Sequence, residues 1–325
     1  MDKKMRVKLL YVGVILILVL VVLYSGLQIL ESTVFSKNHY QLQTTSKVQI
    51  RDGVSYYPRQ DITVILLMGI NQTGPVVPTE YNHGGAVDML ALLVFDEQTK
   101  QCNVVSLNRD RMVYMPRLNE HGKEKGTLYA QLAYSHAFGD GMKVSCENVR
   151  KTVVNLLYGV PINYYFSLNM NAIEIINDSV GGVQVNIVDD FSAIDPTLTM
   201  GPVLLQGKHA VNFLQSRWDV GDELNLSRME RHKEYMRNFV PALKHKLEES
   251  AVFVVDVYGL VEQYIVTNCN SANAQQLAVD YGDYSIGKIY SVGGENKLGE
   301  TYYEFYADEK EWDDLVISLF YAPKK

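Results

Sequence analysis

Three β-rich apolar runs between Asp61 and Asp110, DITVILLMG, DMLALLVFD and CNVVSLNRD, constrain this chain more than any other feature. Near-continuous Val, Ile and Leu over seven to nine residues suits strands buried on both faces, and such strands need helices to cover them. The expectation is an α/β domain with a central mixed β-sheet flanked by helices. Charges stand at the ends of these runs. Asp88 opens the second, Asp110 follows the third, and Arg109 precedes Asp110. A rim that alternates carboxylate and guanidinium suits a metal ion and a phosphorylated ligand, and it also suits strand ends meeting solvent.

The rest of the chain supplies the cover. Met89–Phe95 and Asn103–Leu107 predict an antiparallel hairpin across DEQTKQ, and Val113–Pro116 a short strand that turns at Pro116. RLNEHGKEKGTL reads as a polar loop, while Leu128–Phe138 and Val144–Tyr158 carry apolar residues at helical spacing. Tyr164–Leu168 predicts a strand and Met170–Val180 a helix capped by Asn169 or Asn171, stopped at Gly181-Gly182 and followed by a strand over Val183–Val188. Gly207–Leu214 opens a helix, a long helix runs to about Glu249, and Trp312–Tyr321 closes the chain. No linker, repeat or low-complexity run interrupts residues 57–321.

Leu9–Leu30 reads LLYVGVILILVLVVLYSGLQIL without a charge, which meets the roughly 20 residues a helix needs to cross a bilayer. Lys3, Lys4, Arg6 and Lys8 precede it, so the positive-inside rule sets the N-terminus in the cytoplasm. The expected order is a cytoplasmic tail over 1–8, a transmembrane signal anchor over 9–30, a polar stalk or accessory segment over 31–58, and an extracellular domain over 59–325. That makes a single-pass cell-membrane protein, whose chemistry runs without nucleotide. The net charge of -7, from 30 basic and 37 acidic residues, argues against nucleic acid as a partner. Cys102, Cys146 and Cys269 are too far apart for a disulfide framework or a close metal-ligand spacing.

No phosphate loop, nucleophile elbow, HExxH or strand-linked GxGxxG is present. What remains is a set of acids and arginines: Asp88, Arg109, Asp110, Arg217, Arg228 and Arg231. Arginine binds phosphate through two parallel donors and keeps its charge, so several of them converging would hold a diphosphate. Arg228 and Arg231 are three apart and share a helix face, where Glu230, Lys233 and Glu234 equally allow a solvated face of ion pairs.

Six blocks then carry a resemblance: ILLMGINQ, VDMLALLVFDEQTKQCNVVSLNRDRMVYMP, AYSHAFGDG with VVNLLYGVPINYYFSLN, SVGGVQVNI, LLQGKHAVNFLQSRW, and SRMERHKEYM. In this order they resemble the LytR-CpsA-Psr family of cell-wall proteins from Asp61 to about Phe239. The resemblance implies a transferase that moves a glycopolymer, such as teichoic acid or capsule, from a polyprenyl diphosphate carrier to peptidoglycan, with Mg²⁺ and in a Gram-positive-type envelope. It implies that Asp88 and Asp110 hold the metal, that Arg109 contacts the diphosphate beside them, and that Arg217, Arg228 and Arg231 complete the clamp. One of the two carboxylates would help remove the acceptor proton.

The resemblance also implies an apolar tunnel for the lipid between sheet and helices. Leu132, Val153, Leu157 and Phe166 are expected in its wall, together with Ile173, Ile176, Val211 and Leu214. The chain departs from the family pattern at three positions. Ala86 stands where an Arg usually precedes the metal-side Asp, Gln215 where an Arg precedes Arg217, and His232 where a Gln follows the second helical Arg. Gln215 and His232 thus take the place of phosphate-contacting groups. A non-catalytic membrane-anchored binder of lipid-linked glycopolymer is the alternative reading, favoured by these losses.

Overall fold

The computed structural model describes residues 48–324, apart from 222–224, 251–252, 270–272, 274–275, 278–279, 282–283 and 301. The anchor expected over 9–30, the tail before it and most of the stalk lie outside the described residues. Among the described residues no helix is long and apolar enough to cross a membrane.

The chain begins with two short strands, β1 (Gln49–Arg51) and β2 (Val54–Pro58), and then enters the core with β3 (Ile62–Ile70), β4 (Val87–Asp96) and β5 (Gln101–Leu107). A hairpin of β6 (Met112–Leu118) and β7 (Glu124–Gln131) leads to a short helix α1 (Tyr134–Ala137) and to α2 (Lys143–Leu156). Strand β8 (Tyr164–Asn169), helix α3 (Met170–Ser179), strands β9 (Val183–Ile187) and β10 (Gly201–Leu205), and helices α4 (Lys208–Gln215), α5 (Asn225–Glu249) and α6 (Phe253–Val261) follow. The chain closes with β11 (Ile265–Thr267), β12 (Ser285–Tyr290), β13 (Gly294–Leu298), β14 (Tyr303–Ala307), α7 (Glu309–Phe320) and β15 (Tyr321–Pro323).

Six strands make the central sheet, in the order β11-β8-β3-β4-β5-β12. It is mixed, as expected: β3, β4 and β5 are antiparallel neighbours, while β3 with β8 and β5 with β12 are parallel. The parallel β3–β8 pair needs a long crossover, and the chain from β4 to α2 provides it. Side chains alternate between two cores. Ile65, Leu67, Ala91, Leu93 and Phe95 face α3, α4, α5 and α6, whereas Val64, Leu66, Met68, Leu90, Leu92 and Val94 face α2 and α7. Burial on both faces is why the runs in the sequence are continuous rather than alternating.

Two expectations are corrected by the β6–β7 hairpin. Residues 124–131, the end of the segment expected as a loop and the start of the helix expected over Leu128–Phe138, form β7, paired with β6 from Met112↔Gln131 to Leu118↔Glu124. Only residues 134–137 of that stretch are helical. The side chain of Asn119 makes the turn, its Oδ1 accepting from the amides of His121 and Lys123 at 2.9 Å each. Pro116 does not end β6, because the ladder shifts register just after it. At the other end of the domain β2 pairs with β15, which ties residues 54–58 to the C-terminal strand.

Asn169 joins two parts of this fold. Its Oδ1 caps α3 by accepting from Ala172 N at 3.1 Å, and its Nδ2 donates to Gly74 O at 2.5 Å, fixing the loop after β3. Replacing Asn169 by Ala is expected to lower stability by about 1–2 kcal/mol, seen as a lower urea midpoint at unchanged slope.

Candidate active site

Antiparallel pairing brings the start of β4 beside the end of β5, since Leu90 lies opposite Leu107. Asp88 and the Asn108-Arg109-Asp110 turn therefore meet at one rim of the sheet. A bulge aims Asp88. In the β3–β4 ladder Met89 pairs with Gly69 and Val87 with Ile70, so Asp88 is the extra residue. Simple alternation would send Asp88 to the face opposite Met89. With the bulge, Asp88 and Met89 both line the same cavity. Gly69 permits the close approach, because a Cβ there would lie 3.2 Å from Met89 Cβ.

Arginines surround the acid pair. Arg109 Nη1 donates to Asp88 Oδ1 at 2.6 Å, and its Nε lies 3.8 Å from Asp110 Oδ1. Arg228 Nη1 lies 3.5 Å from Asp88 Oδ1, and Arg217 Nη1 lies 2.9 Å from Asp110 Oδ2. Asp88 is 7% exposed, Asp110 2% and Arg228 2%, so these charges persist only because they are paired. Three guanidiniums face two carboxylates, which leaves the site with an excess of positive charge. Burial pulls the Arg228 pKa down to about 10, with Asp88 opposing and Arg109 adding to the effect, so the guanidinium stays charged at neutral pH.

Asparagines, absent from the expected site, set the geometry. Asn108 Oδ1 accepts from Asp110 N at 3.0 Å and from Asn225 Nδ2 at 2.7 Å, joining the turn to the first residue of α5. One turn along α5, Arg228 donates from Nε and Nη2 to Asn225 Oδ1 at 3.1 and 2.5 Å, and from Nη1 to Gln215 O at 3.2 Å. Gln131, also absent from the expected site, donates from Nε2 to Tyr303 O at 2.6 Å and lies 3.4 Å from Asp110 Oδ1. The sequence signal for Asn225 was its position three before Arg228. Nothing in the sequence marked Gln131.

Arg231 goes elsewhere. Its Nη1 pairs with Asp189 Oδ2 at 2.7 Å, its Nε donates to Phe213 O at 2.9 Å, and its Nη2 donates to Ser216 O. A three-residue step turns the helix by about 300°, leaving Arg231 off the line of Arg228 and within reach of the end of β9. Arg231 thus holds the Phe213–Ser216 segment that carries Arg217 rather than facing Asp88 and Asp110. Gln215 and His232 line the cavity, Gln215 Nε2 donating to Asn71 Oδ1 at 2.6 Å and His232 Nε2 donating to Leu214 O at 2.9 Å.

The cavity, of about 140 Å³, follows β4 from Asp88 through Ala91 to Leu93 under α3 and α5. Ile173, Ile176 and Leu214 line it as expected, joined by Tyr235, Met236 and Phe239 from α5. Phe166 lies in the same core beneath it, and Val211 is only half-buried on α4 outside the lining. Leu132, Val153 and Leu157 are a correction: they pack into the core on the other face of the sheet, with α2 and α7. Strands buried on both faces carry no sequence signal for which face a helix will cover.

The acid pair also fits a hard cation. Asp110 Oδ2 is buried and has an ion pair with Arg217 but no directed hydrogen bond, so its lone pairs remain open to a metal. Among the described residues no group of three or more His, Cys, Asp or Glu forms a closed metal cage. Two carboxylates, completed by phosphate oxygens and water, would be a donor set of the kind Mg²⁺ takes, rather than a closed zinc site.

His232 supplies a pH signature. Burial, then the charge of Arg228, push its imidazole down to about 3, so it is neutral in the fold. The unfolded chain gains a proton near pH 6.5 while the folded chain does not, so stability is full above that pH and falls as pH drops towards 3. In His232→Gln this contribution disappears. The variant's stability is expected to fall less steeply than wild type between pH 6.5 and 3, by roughly 1 kcal/mol per pH unit, in urea titrations at stepped pH.

A family model described as LytR_cpsA_psr family matches residues 24–318. Relatives include the polyisoprenyl-teichoic acid-peptidoglycan teichoic acid transferase TagU of Bacillus subtilis (strain 168), 24% identical over 278 residues that cover 85% of this chain and 83% of that protein. The TagU of Enterococcus faecalis is 25% identical over 291 residues, covering 89% and 87%. Among solved structures, TagT bound to LI-WTA superposes with a TM-score of 0.59 at 20% identity, over 85% of this chain and 94% of that one. A Streptococcus agalactiae protein, gbs0355, superposes with a TM-score of 0.64 at 20% identity, over 80% and 86%. The fold is shared with these structures, and the match from residue 24 to residue 318 makes the chain a member of the LytR_cpsA_psr family.

Proposed function

We propose that this chain is a phosphotransferase that moves a glycopolymer from a polyprenyl diphosphate carrier to a hydroxyl of peptidoglycan or another wall acceptor. It works with Mg²⁺ on the outer face of the cell membrane, held there by the anchor over 9–30. The observation that carries this reading is the convergence of Arg109, Arg217 and Arg228 on Asp88 and Asp110 where an apolar cavity begins. The names of the TagU relatives, which are transferases of teichoic acid, point the same way.

The chemistry follows from charge and position. The isoprenoid tail occupies the cavity between β4, α3 and α5, and its diphosphate lies at the arginine end. Arg109 and Arg228 now share Asp88, and both exchange that carboxylate for phosphate oxygens as the diphosphate enters. The exchange frees Asp88, which with Asp110 would hold the metal. Mg²⁺, when bound, offsets the charge that develops on the transferred phosphoryl group. Arg217 stays beside Asp110, and Arg231 keeps the segment bearing Arg217 in place.

The acceptor hydroxyl attacks the phosphorus nearest the glycopolymer, a new P–O bond forms, and the bond to polyprenyl phosphate breaks. One of the two carboxylates takes the hydroxyl proton, and polyprenyl phosphate leaves with the electron pair of the broken bond. Guanidiniums fixed in a dry, buried site stabilise the developing charge without reorganising, which is the largest source of rate in such a transfer.

The binder reading has its own observation. Ala86 and Gln215 are neutral where the family pattern supplies arginine, and Gln215 is spent on Asn71. The test is full-length protein in nanodiscs with a polyprenyl diphosphate oligosaccharide, peptidoglycan glycan strands as acceptor, and Mg²⁺, scored by release of polyprenyl phosphate. Wild type is expected to release it, and Arg217→Ala and Asp88→Ala to do so about 100-fold more slowly. Wild type that binds the substrate and releases nothing makes the chain a binder.

A further inference from the structure

We propose that the outer face of the β6–β7 hairpin, carrying Tyr114 and Tyr129, is the subsite for a polysaccharide acceptor strand, whose sugar faces stack on the two rings. The identity of the strand as acceptor rests on the transferase reading; the binding of a glycan does not.

Tyr114 and Tyr129 are directly opposite in the ladder and so project from one face, with ring centroids 4.8 Å apart. Tyr114 is 69% exposed and Tyr129 45%. The other face of β6 is occupied by Val113, Met115 and Leu118, which are buried in the core. A cross-strand aromatic pair usually stabilises a hairpin by burying its rings, and here the two rings touch each other but keep much of their surface in solvent. Exposed rings of this kind mark recognition.

The position of the pair says what it recognises. Gln131 lies two residues beyond Tyr129 on the same face, about 7 Å along the strand, and its amide reaches Asp110. The second hairpin borders the same path. Phe305 N donates to Asp110 O at 2.9 Å, and Gln131 Nε2 donates to Tyr303 O. This tyrosine shelf leads along β7 to Gln131 and through its amide to Asp110, whereas the cavity is lined by Asp88.

A polysaccharide fits this surface better than a lipid or an apolar helix. Two phenol rings give flat apolar faces with hydroxyl edges, matching the apolar faces and hydroxyl rims of pyranose rings. Glu309 pairs with Arg111 at the root of β6, and Tyr306 donates to Glu304 Oε2 at 2.6 Å in the neighbouring hairpin. These acids supply acceptors for sugar hydroxyls.

Full-length protein in nanodiscs is titrated with a β-1,4-linked N-acetylglucosamine hexamer, and donor cleavage is followed separately without acceptor. Wild type is expected to bind the hexamer. Tyr114→Ala with Tyr129→Ala is expected to weaken that binding about tenfold, and Tyr114→Phe with Tyr129→Phe to preserve it. Donor cleavage without acceptor is expected to be the same in all three. Equal affinity in the alanine and phenylalanine pairs, or no binding by wild type, overturns the shelf whether or not donor is cleaved. Ring-dependent binding by a wild type that releases no polyprenyl phosphate either without acceptor or with peptidoglycan glycan strands present sustains the shelf and overturns the transferase reading instead.

Discussion

Two buried carboxylates, Asp88 and Asp110, are the constraint on which the rest of the structure depends. An unpaired charge at that depth costs several kcal/mol, so guanidiniums must be delivered to them from wherever the chain can supply them. Arg109 comes from the same turn, Arg217 from the segment after α4, and Arg228 from α5. That requirement fixes the start of α5. Asn225 bonds Asn108 on one side and Arg228 on the other, so the helix enters the domain at the turn that carries Asp110. Arg231 then ties the segment after α4 to the same helix through the carbonyls of Phe213 and Ser216. The polar cluster is thus also the fastener between sheet and α-helical layer at one end.

Away from that fastener the two layers stand apart. On the face packed by α2 and α7 the sheet is filled by side chains such as Val153, Leu157 and Trp312. On the other face a cavity remains between β4, α3 and α5. Its walls are mainly Leu, Ile, Met and Phe, and of the polar groups that reach it His232 is bonded to Leu214 O, Gln215 to Asn71 and Tyr235 to Asn177. Such a space suits an apolar chain. The sheet therefore has one face built for stability and one that keeps room for a ligand, and Asp88 is turned towards the second by a single extra residue.

What the sequence revealed and what it hid divide along physical lines. Strands β3, β4 and β5 were legible because double-sided burial writes continuous apolar runs, and α2, α3 and α5 because their apolar spacing is long enough to be unambiguous. The β7 strand was not, since Leu128, Ala130 and Leu132 satisfy period two as well as helical spacing and only pairing with β6 decides between them. The convergence of Asp88, Arg109, Asp110, Arg217 and Arg228 followed from residue type and the resemblance. The different direction of Arg231 depends on Asp189, distant in sequence. Leu132, Val153 and Leu157 were assigned to the wrong face because composition does not say which side of a doubly buried sheet a helix will cover. The bulge at Asp88 left no trace at all.

The three departures from the family pattern act together. Arginine at the positions of Ala86 and Gln215 would add two charges to a site where three guanidiniums already outnumber two carboxylates, and buried like charges oppose one another. Without them the protein alone is closer to electrical balance. Gln215 uses its amide to hold Asn71, in the loop after β3, against the segment between α4 and α5. His232, kept neutral beside Arg228, spends its one N–H on Leu214 O. Gln215 exchanges a charge, and His232 an amide, for a bond that closes the wall around the cavity. The consequence is a site whose wall is closed by its own hydrogen bonds and which carries fewer cations than the full family pattern would give it. On the proposed reading, Arg109, Arg217 and Arg228 would then carry alone the phosphate contacts that a complete pattern spreads over a larger set.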